Sequence, residues 1–489
     1  MNKPLRRIAI FCGLLILALL IRDNYLQYVK ADSLASDSEN RRVNIERYAI
    51  PRGDIIVDGK AITGSVETSG DYKYKRTWTN GPMWAPVTGY SSQAFGANQL
   101  EKLEDDFLSG NDDRLFFRNT LDMLTGKERQ GGSVVTTLSG AAQKAAYKGL
   151  GTKKGAVAAI EPSTGKILAL VSTPSYDPSK FAGNSDKDGE AWKAVQKANN
   201  PDDPTLNRAL REVYPPGSTF KVVTAAAALE NGAVSGIDDA TKTPDPYPLP
   251  QSTKPLTNQH GECENATLRY ALMVSCNTVF AKMADTVGNE KMIEQAQKFG
   301  FNNKALDTPV RAAESVYPED NRPQNAMDGI GQASNRATPL QMAMVTAAIA
   351  NNGKLMKPYM VDQLRAPNLD TLTTTKPEVL SQAVSSETAQ KLQQMMEAVV
   401  NEPQGTGGNA KISGVKVGGK TGTAQHGLNN KEKPYAWFIS YAKLPDGSAP
   451  VAVAVVVEDG AANRGDISGG GLAAPIAKNV MQAVINSKK

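Results

Sequence analysis

The sequence has few of the residues that most often bind metals. Its 489 residues include 3 cysteines and 2 histidines, and the histidines, His260 and His426, are far apart. A structural zinc site needs four such ligands at close spacing, and the sequence contains no such cluster. So few cysteines also exclude a small fold held together by disulfides. We therefore expect no metal site and no cofactor.

A strong charge of either sign is also missing. The chain has 55 lysines and arginines against 50 aspartates and glutamates, so its formal net charge is +5. Because nucleic-acid binding needs a basic stripe, we expect no nucleic-acid partner. Four of the positive charges flank an apolar run at the N-terminus: Lys3, Arg6, Arg7 and Arg22.

This N-terminal run, Ile8–Ile21, has 14 residues, fewer than the ~20 that span a bilayer comfortably. Leu26–Val29 can extend it, and no convincing cleavage site follows. The pattern therefore favours an uncleaved signal anchor over a cleaved signal peptide. We expect a cytoplasmic tail at 1–7, a membrane anchor at 8–29 and the remaining chain outside the cytoplasm.

The chain after the anchor, about 455 residues, is too long for one ordinary core, so two domains are expected. Residues 30–132 are polar and irregular, which predicts a small accessory domain. The apolar patterning strengthens over residues 133–489, which predicts the main domain.

The main domain is predicted to be an α+β fold. Two apolar strands flank the turn Glu161–Lys166, and three more are predicted at about 412–423, 435–442 and 451–458. A helix is predicted from Ser218 to about residue 230. Because strands joined by short turns are antiparallel, we expect an antiparallel sheet with helices packed on it.

The segment "GVKVGGKTGT", residues 414–423, has two interpretations. It matches the phosphate-loop pattern G-x-x-x-x-G-K-[ST], and it also contains K-T-G-T. A phosphate loop leads directly into a helix whose N-terminus holds the phosphates. Here Lys420 is followed by a segment rich in Gly and Asn and then by a strand. We therefore interpret Lys420 as a strand residue of a K-T-G motif.

A serine nucleophile would complete that second interpretation. "PPGSTFK" supplies Ser218 and Lys221, and positions three apart share one face of a helix. The Lys221 amine can then take the proton of the Ser218 hydroxyl, provided that burial or a nearby cation lowers the lysine pKa. Lys420 is the candidate for that cation.

Two further motifs are predicted to complete the site. In "VSCNTVF", Ser275 is expected to relay a proton to the leaving group, and Asn277 to hold a substrate amide or the lysine. Gly422 leaves room for a substrate backbone beside the strand. Lys420 and the threonine hydroxyls suit a substrate carboxylate. This third motif comprises Lys420, Thr421, Gly422 and Thr423.

These motifs, in this order, resemble those of the class B, monofunctional penicillin-binding proteins. The segments "YPPGSTFKVVTAAAAL", "ALMVSCNTVFAKMADTVG" and "GGKTGTAQ" are similar to family segments, and the resemblance covers about residues 133–487. "PRGDIIVDG" resembles the start of a class B accessory domain. The actinobacterial penicillin-binding protein A group is the most similar. Ala333 departs from the pattern, because a glycine is more usual there.

The resemblance implies a penicillin-binding, serine β-lactamase-like fold, with a five-stranded antiparallel sheet, flanking helices and a helical lobe. It implies a D,D-transpeptidase that cross-links peptidoglycan stem peptides, is acylated by β-lactams and acts in cell division or septal wall synthesis. Implied partners are the bacterial inner membrane, a membrane glycan polymerase and division proteins. The roughly 100 residues before the main domain are too few for a glycosyltransferase.

Other functions occur on the same fold, namely D,D-carboxypeptidase, β-lactamase and β-lactam sensor. An uncleaved anchor with an accessory domain favours a cell-wall synthase over a secreted lactamase. The non-enzyme alternative is an anchored division scaffold with an idle site, against which the intact motifs argue. The sequence does not decide whether an amine or water attacks the acyl-enzyme.

Cys263 and Cys276 lie outside the membrane, 13 residues apart. We predict that they form a disulfide, because such bonds persist in oxidising compartments. Two buried free thiols are the alternative, since spacing alone does not establish the geometry.

Overall fold

The N-terminal segment forms one continuous helical rod. The computed structural model describes residues 3–35, 40–196, 200, 202–259, 261–458 and 464–488. Within them, the helix Lys3–Asn24 continues as a π-helical turn, Tyr25–Val29, and these 27 residues form the one helix long and apolar enough to cross a membrane. None of its side chains is buried against the rest of the protein. The helix begins before Ile8, so most of the predicted tail is helical.

Five strands of the described chain form the central sheet, and every neighbouring pair is antiparallel, which confirms the predicted sheet. In spatial order the strands are Lys416–Ala424, Tyr435–Lys443, Val451–Val457, Gly155–Ile160 and Ile167–Thr173.

Both faces of this sheet are buried, which explains its continuous apolar strands. In Val451–Val457 the odd-numbered residues belong to one core cluster and the even-numbered residues to another, as the two-residue period of a strand requires. The helices Gly140–Leu150 and Ala474–Ser487 cover the first face. The helix Pro339–Ala350, buried along its whole length, covers the second.

A helical lobe lies beside the sheet and carries the predicted nucleophile. Its central helix is Lys221–Glu230, which we call the nucleophile helix and which packs against four of the other helices of the lobe. The other helices of the lobe are Leu268–Val274, Asn277–Val287, Asn289–Lys298, Arg322–Asp328 and Ser386–Asn401. The helices Asp186–Val195 and Arg208–Arg211 precede the nucleophile helix. Two small two-stranded sheets pair Tyr247–Pro248 with Pro255–Leu256 and Lys354–Met356 with Val379–Gln382.

The polar region 30–132 contains short helices and strands among its described residues. Its helices are Ala31–Ala35, Arg41–Arg47, Gly81–Thr88, Gln99–Leu103, Asp105–Leu108 and Phe116–Thr125. Its strands are Ile55–Val57, Lys60–Ala61, Thr63–Glu67, Tyr74–Trp78, Ser91–Ser92 and Gly96–Ala97.

A second sheet joins this region to the main domain. Ser133–Thr136 pairs in parallel with Ile55–Val57 on one side and antiparallel with Val361–Arg365 on the other. Lys60–Ala61 and Thr371–Thr374 extend the sheet at its two edges. The domain boundary predicted at residue 132 therefore falls beside a strand that both regions share.

The "PRGD" turn of the accessory region is held by buried charges. Arg52 and Arg76 each donate from Nε to a different oxygen of Glu101, at 2.6 Å, and all three side chains are buried. Gly53 has no space for a side chain, because a Cβ there would lie 1.9 Å from the carbonyl oxygen of Gly132. Since a buried charge left without its partner is costly, removing one member of this trio would be strongly destabilising.

Candidate active site

Ser218 lies on a tight turn that enters the nucleophile helix. Gly217–Phe220 is a 3₁₀ turn that leads directly into Lys221–Glu230. Gly217 adopts φ +54°, a conformation that glycine takes without penalty. Its N–H donates to the carbonyl oxygen of Gly331 at 2.9 Å. These constraints leave the Ser218 side chain partly exposed in a cavity.

The chain just before this turn is tied to the central sheet. Trp437 donates from Nε1 to the carbonyl oxygen of Pro215 at 3.1 Å. The Tyr214 hydroxyl donates to Oε1 of Glu458 at 2.6 Å. Both aromatic side chains are buried. The nucleophile turn is therefore supported by rigid strands, as a preorganised site requires.

Lys221 is fully buried and directs its amine at the second motif. Its Nζ donates to the carbonyl oxygen of Ser275 at 2.7 Å, to Ser275 Oγ at 3.2 Å and to Oδ1 of Asn277 at 2.8 Å. The Lys221 amine, which we expect to take the proton of the Ser218 hydroxyl, makes no hydrogen bond to Ser218 among the described residues, because these three acceptors already surround it. Catalytic hydrogen bonds often tighten only when substrate binds.

Burial lowers the pKa of Lys221 well below its ordinary value, and the nearby charge of Lys420 lowers it further. Burial also lowers the pKa of Lys420, to about 7. A base that accepts a serine proton must be neutral before the reaction. The lowered pKa of Lys221 is therefore what the predicted chemistry needs.

Ser275 connects the two lysines. Lys420 donates from Nζ to Ser275 Oγ at 2.9 Å, on the same oxygen that Lys221 approaches. Ser275 lies between two helices at φ +69°, the left-handed region that a residue other than glycine seldom adopts. Such strain is common where a side chain has to be aimed at a site.

The K-T-G motif is on a strand, as predicted. Lys416–Ala424 runs through the motif without a helix following it, which excludes the phosphate-loop interpretation. The hydroxyls of Thr421 and Thr406 are hydrogen bonded at 2.7 Å. A Cβ on Gly422 would lie 3.0 Å from Thr219 and 3.0 Å from Trp437. The glycine thus makes room for the nucleophile turn, and because it also lines the cavity, its contact with a substrate backbone stays a prediction.

The three motifs meet at one cavity of about 430 Å³. Its predicted lining residues are Ser218, Ser275, Asn277, Thr421, Gly422 and Thr423. Other polar residues that line the cavity are not predicted from the sequence, among them Gln259, Gln332, Thr406, Gln425 and Ser468. They come from loops, where no periodic pattern marks a residue as facing a site.

A loop after the helix Arg322–Asp328 forms one wall of the cavity. Asp328 accepts hydrogen bonds at Oδ1 from the backbone N–H groups of Ser334 and Asn335, at 2.9 and 2.8 Å. Burial raises the pKa of Asp328 to about 7. Ala333 lies in this loop at φ +49°, which explains why a glycine is more usual there. Alanine in place of glycine at position 333 strains the loop. Ala333 is not among the residues that line the cavity.

Cys263 and Cys276 form a disulfide in the structure, with their Cα atoms 5.8 Å apart. The bond closes a loop onto the second motif, because Cys276 lies between Ser275 and Asn277. Both cysteines are fully buried, and Cys12, in the N-terminal helix, is free.

Denatured, unreduced full-length protein should therefore contain one reactive thiol, that of Cys12. Replacing both Cys263 and Cys276 with Ser should lower the free energy of unfolding by about 3 kcal/mol, because the unfolded chain is no longer constrained. The control, Cys12→Ser, should leave the stability of the extramembrane part unchanged. A count of three thiols in the wild-type protein would contradict the disulfide.

Within the described residues, no group of three or more His, Cys, Asp or Glu side chains is placed to hold a metal ion. His426 stacks on Tyr435, with ring centroids 3.9 Å apart. His260 lies outside the described residues.

A serine at the start of a helix, two buried lysines with lowered pKa values and a K-T-G strand around one cavity define the active-site serine enzymes that react with penicillin. Family models agree with this class. The model of the penicillin-binding protein transpeptidase domain matches residues 155–482. The model of the penicillin-binding protein A dimerisation domain matches residues 52–134.

Relatives match the chain over its whole length. The peptidoglycan D,D-transpeptidase PbpA of Mycolicibacterium smegmatis is 41% identical over 99% of both chains. The protein of the same name from Mycobacterium tuberculosis is 40% identical over 100% of both. A ceftriaxone acyl-enzyme complex of penicillin-binding protein A from M. tuberculosis has a TM-score of 0.83 at 39% identity, and the match covers 90% of this chain and 100% of that one. The chain belongs to the penicillin-binding protein transpeptidase family, which confirms the resemblance seen in its sequence.

Proposed function

We propose that the chain is a peptidoglycan D,D-transpeptidase that is acylated by β-lactams. The observation that carries this proposal is the pair of buried lysines on Ser275 beside the partly exposed Ser218. Relatives about 40% identical over their full length bear the name D,D-transpeptidase, and a structural neighbour was solved as a penicillin G acyl-enzyme.

In the proposed reaction, Ser218 Oγ attacks the carbonyl carbon between two D-alanines while Lys221 takes the hydroxyl proton. The backbone N–H groups of Ser218 and Thr423 hold the oxyanion. The C–N bond then breaks, and Ser275 passes a proton to the departing D-alanine. An amine of a second stem peptide attacks the acyl-enzyme, which forms the cross-link and frees Ser218.

The remaining groups bind the substrate. Lys420 and the hydroxyls of Thr421 and Thr423 receive the carboxylate of the terminal D-alanine, because charge-assisted hydrogen bonds to a carboxylate are strong. Asn277 holds the Lys221 amine in place. Burial lowers the pKa of Lys420 to about 7, and a bound carboxylate would raise it again and favour the protonated amine.

The apolar helix Lys3–Val29 supports a single-pass anchor in the bacterial inner membrane. Positive residues before it favour a cytoplasmic N-terminus and an extracytoplasmic catalytic domain. We extend the proposal to wall synthesis at cell division, with a membrane glycan polymerase and division proteins as partners.

Persistence of the acyl-enzyme separates this function from its alternatives. The protein should take up one fluorescent penicillin per chain and retain it for many minutes, whereas a β-lactamase would release the label in seconds to minutes. A scaffold with an idle site would take up none. Adding a stem-peptide donor and an amine acceptor should yield the cross-linked peptide. Release of D-alanine without any cross-linked product would instead indicate a carboxypeptidase.

A further inference from the structure

The helix that begins at the second motif lacks a capping group of its own. Asn277–Val287 starts immediately after Cys276, whose side chain makes no capping hydrogen bond and is held in the disulfide. The first N–H groups of a helix have no partner within the helix, so they need an acceptor from elsewhere. Ser, Thr, Asp or Asn usually supplies it from the preceding position.

Asn258, 19 residues earlier in the chain, supplies the missing acceptor. Its Oδ1 accepts from the backbone N–H groups of Asn277 at 2.6 Å and Thr278 at 3.1 Å. Its Nδ2 donates to Oδ2 of Asp245 at 2.7 Å and to the Thr278 hydroxyl at 2.9 Å. A carboxylate can only accept hydrogen bonds, so the atom of Asn258 beside the Asp245 carboxylate must be the donor Nδ2. The oxygen Oδ1 is therefore the end of the Asn258 amide that faces the helix.

This cap determines where the Asn277 side chain lies. Asn277 is the first residue of the helix, and its Oδ1 accepts from the Lys221 amine at 2.8 Å. Its Nδ2 donates to the carbonyl oxygen of Thr257, next to Asn258 in the chain. The segment around Asn258 thus holds both the backbone and the side chain of the residue that positions Lys221.

We propose that Asn258 is a positioning residue for acylation, acting through Asn277 on Lys221. It belongs to none of the three motifs, and it lies in the loop segment that precedes the second motif. The proposal rests on the proposed function for its kinetic consequence, whereas the cap itself can be tested without any activity.

The kinetic test compares the acylation of Asn258→Ala and wild-type full-length protein by a fluorescent penicillin. We expect the first-order acylation constant to fall about tenfold, because a displaced Asn277 no longer holds the Lys221 amine in its reactive position, while the dissociation constant of the non-covalent complex and the final labelled fraction stay unchanged. A variant that was merely partly unfolded would label to a lower final fraction at the normal rate. The control is Thr253→Ala, on the same segment, which should behave as wild type.

A swap of the two partners tests the chemistry of the cap. In the double variant Asn258→Asp with Asp245→Asn, a carboxylate oxygen at position 258 still faces the helix. The amide at position 245 then donates to that carboxylate, so the hydrogen bond between the two side chains is kept with its direction reversed. This double variant should recover acylation to within about threefold of wild type, because either side chain is a good capping residue. Hydrogen exchange should be faster for the amides of Asn277 and Thr278 in Asn258→Ala and protected again in the swap.

The outcomes distinguish the two proposals. Wild-type protein that takes up no label would refute the proposed function, and hydrogen exchange would still decide whether Asn258 caps the helix. Normal labelling kinetics in Asn258→Ala would overturn the positioning role, whatever the exchange rates. Unchanged exchange at Asn277 and Thr278 would overturn the cap.

Discussion

Replacing Ser218 with Ala is expected to abolish covalent labelling by a fluorescent penicillin. Among the residues that the structure describes, no other hydroxyl combines a place at the start of the nucleophile helix with exposure in the cavity. Removing a serine nucleophile costs a rate factor of ~10⁴ or more, because the covalent route is lost. The measurement is the fraction of protein that carries label after prolonged exposure.

Non-covalent binding should survive this change, since the groups that receive the carboxylate are intact. The matched control is Ser440→Ala, which removes an equally small hydroxyl from a neighbouring strand. Ser440 is buried and its Oγ has no hydrogen-bond partner among the described residues, so the control should label normally. Persistent acylation of Ser218→Ala would refute the nucleophile assignment.

The central sheet was predictable because two local signals agree there. Long apolar strands alternate with short turns, and hairpin connections make neighbouring strands antiparallel. The continuous apolar sequence of Val451–Val457 indicates that both of its faces are covered, but it does not give the strand's place in the sheet, because the edge strand Ile167–Thr173 is equally buried. The nucleophile helix was predictable from its apolar run and from the glycine that follows it.

The accessory region was harder to predict because its elements are short and contain residues that oppose regular structure. The helix Gly81–Thr88 includes Pro86 and begins with a further proline, yet most of its residues are buried. Tertiary packing there outweighs local propensity. The pairing of Ser133–Thr136 with Val361–Arg365 joins segments more than 200 residues apart, and no periodicity reports such a contact.

Some active-site residues could likewise be predicted from the sequence and others could not. Ser218, Lys221 and Lys420 were identified because the spacing within each motif follows from helix and strand geometry. Thr406 and Asn258 were missed because each acts from a loop, through one contact with a motif residue. The contacts of Thr406 and Asn258 depend on distances in the folded chain, and these distances cannot be read from the sequence.

The two active-site lysines should respond differently to removal. Lys221→Ala should lower the acylation rate constant by about 10² to 10⁴, the usual worth of a general base, with little change in non-covalent binding. Lys420→Ala should weaken the binding of carboxylate-bearing ligands about tenfold or more, because a charge-assisted hydrogen bond is lost. Lys416→Ala, an exposed lysine at the start of the same strand, is the control for both.

The pH dependence of acylation provides a second, independent measurement. Lys221 acts as a base only when neutral, so the rate should fall as the pH drops through its pKa. That pKa is lowered first by burial and then by the charge of Lys420. In Lys420→Ala the second cause is gone, so the pKa of Lys221 should rise and the acid limb should move to higher pH. An acid limb of the pH–rate profile that stays in place or moves to lower pH would show that Lys420 does not lower the pKa of Lys221.

If Lys221→Ala instead weakened ligand binding while Lys420→Ala lost the acid limb, the two roles would be reversed.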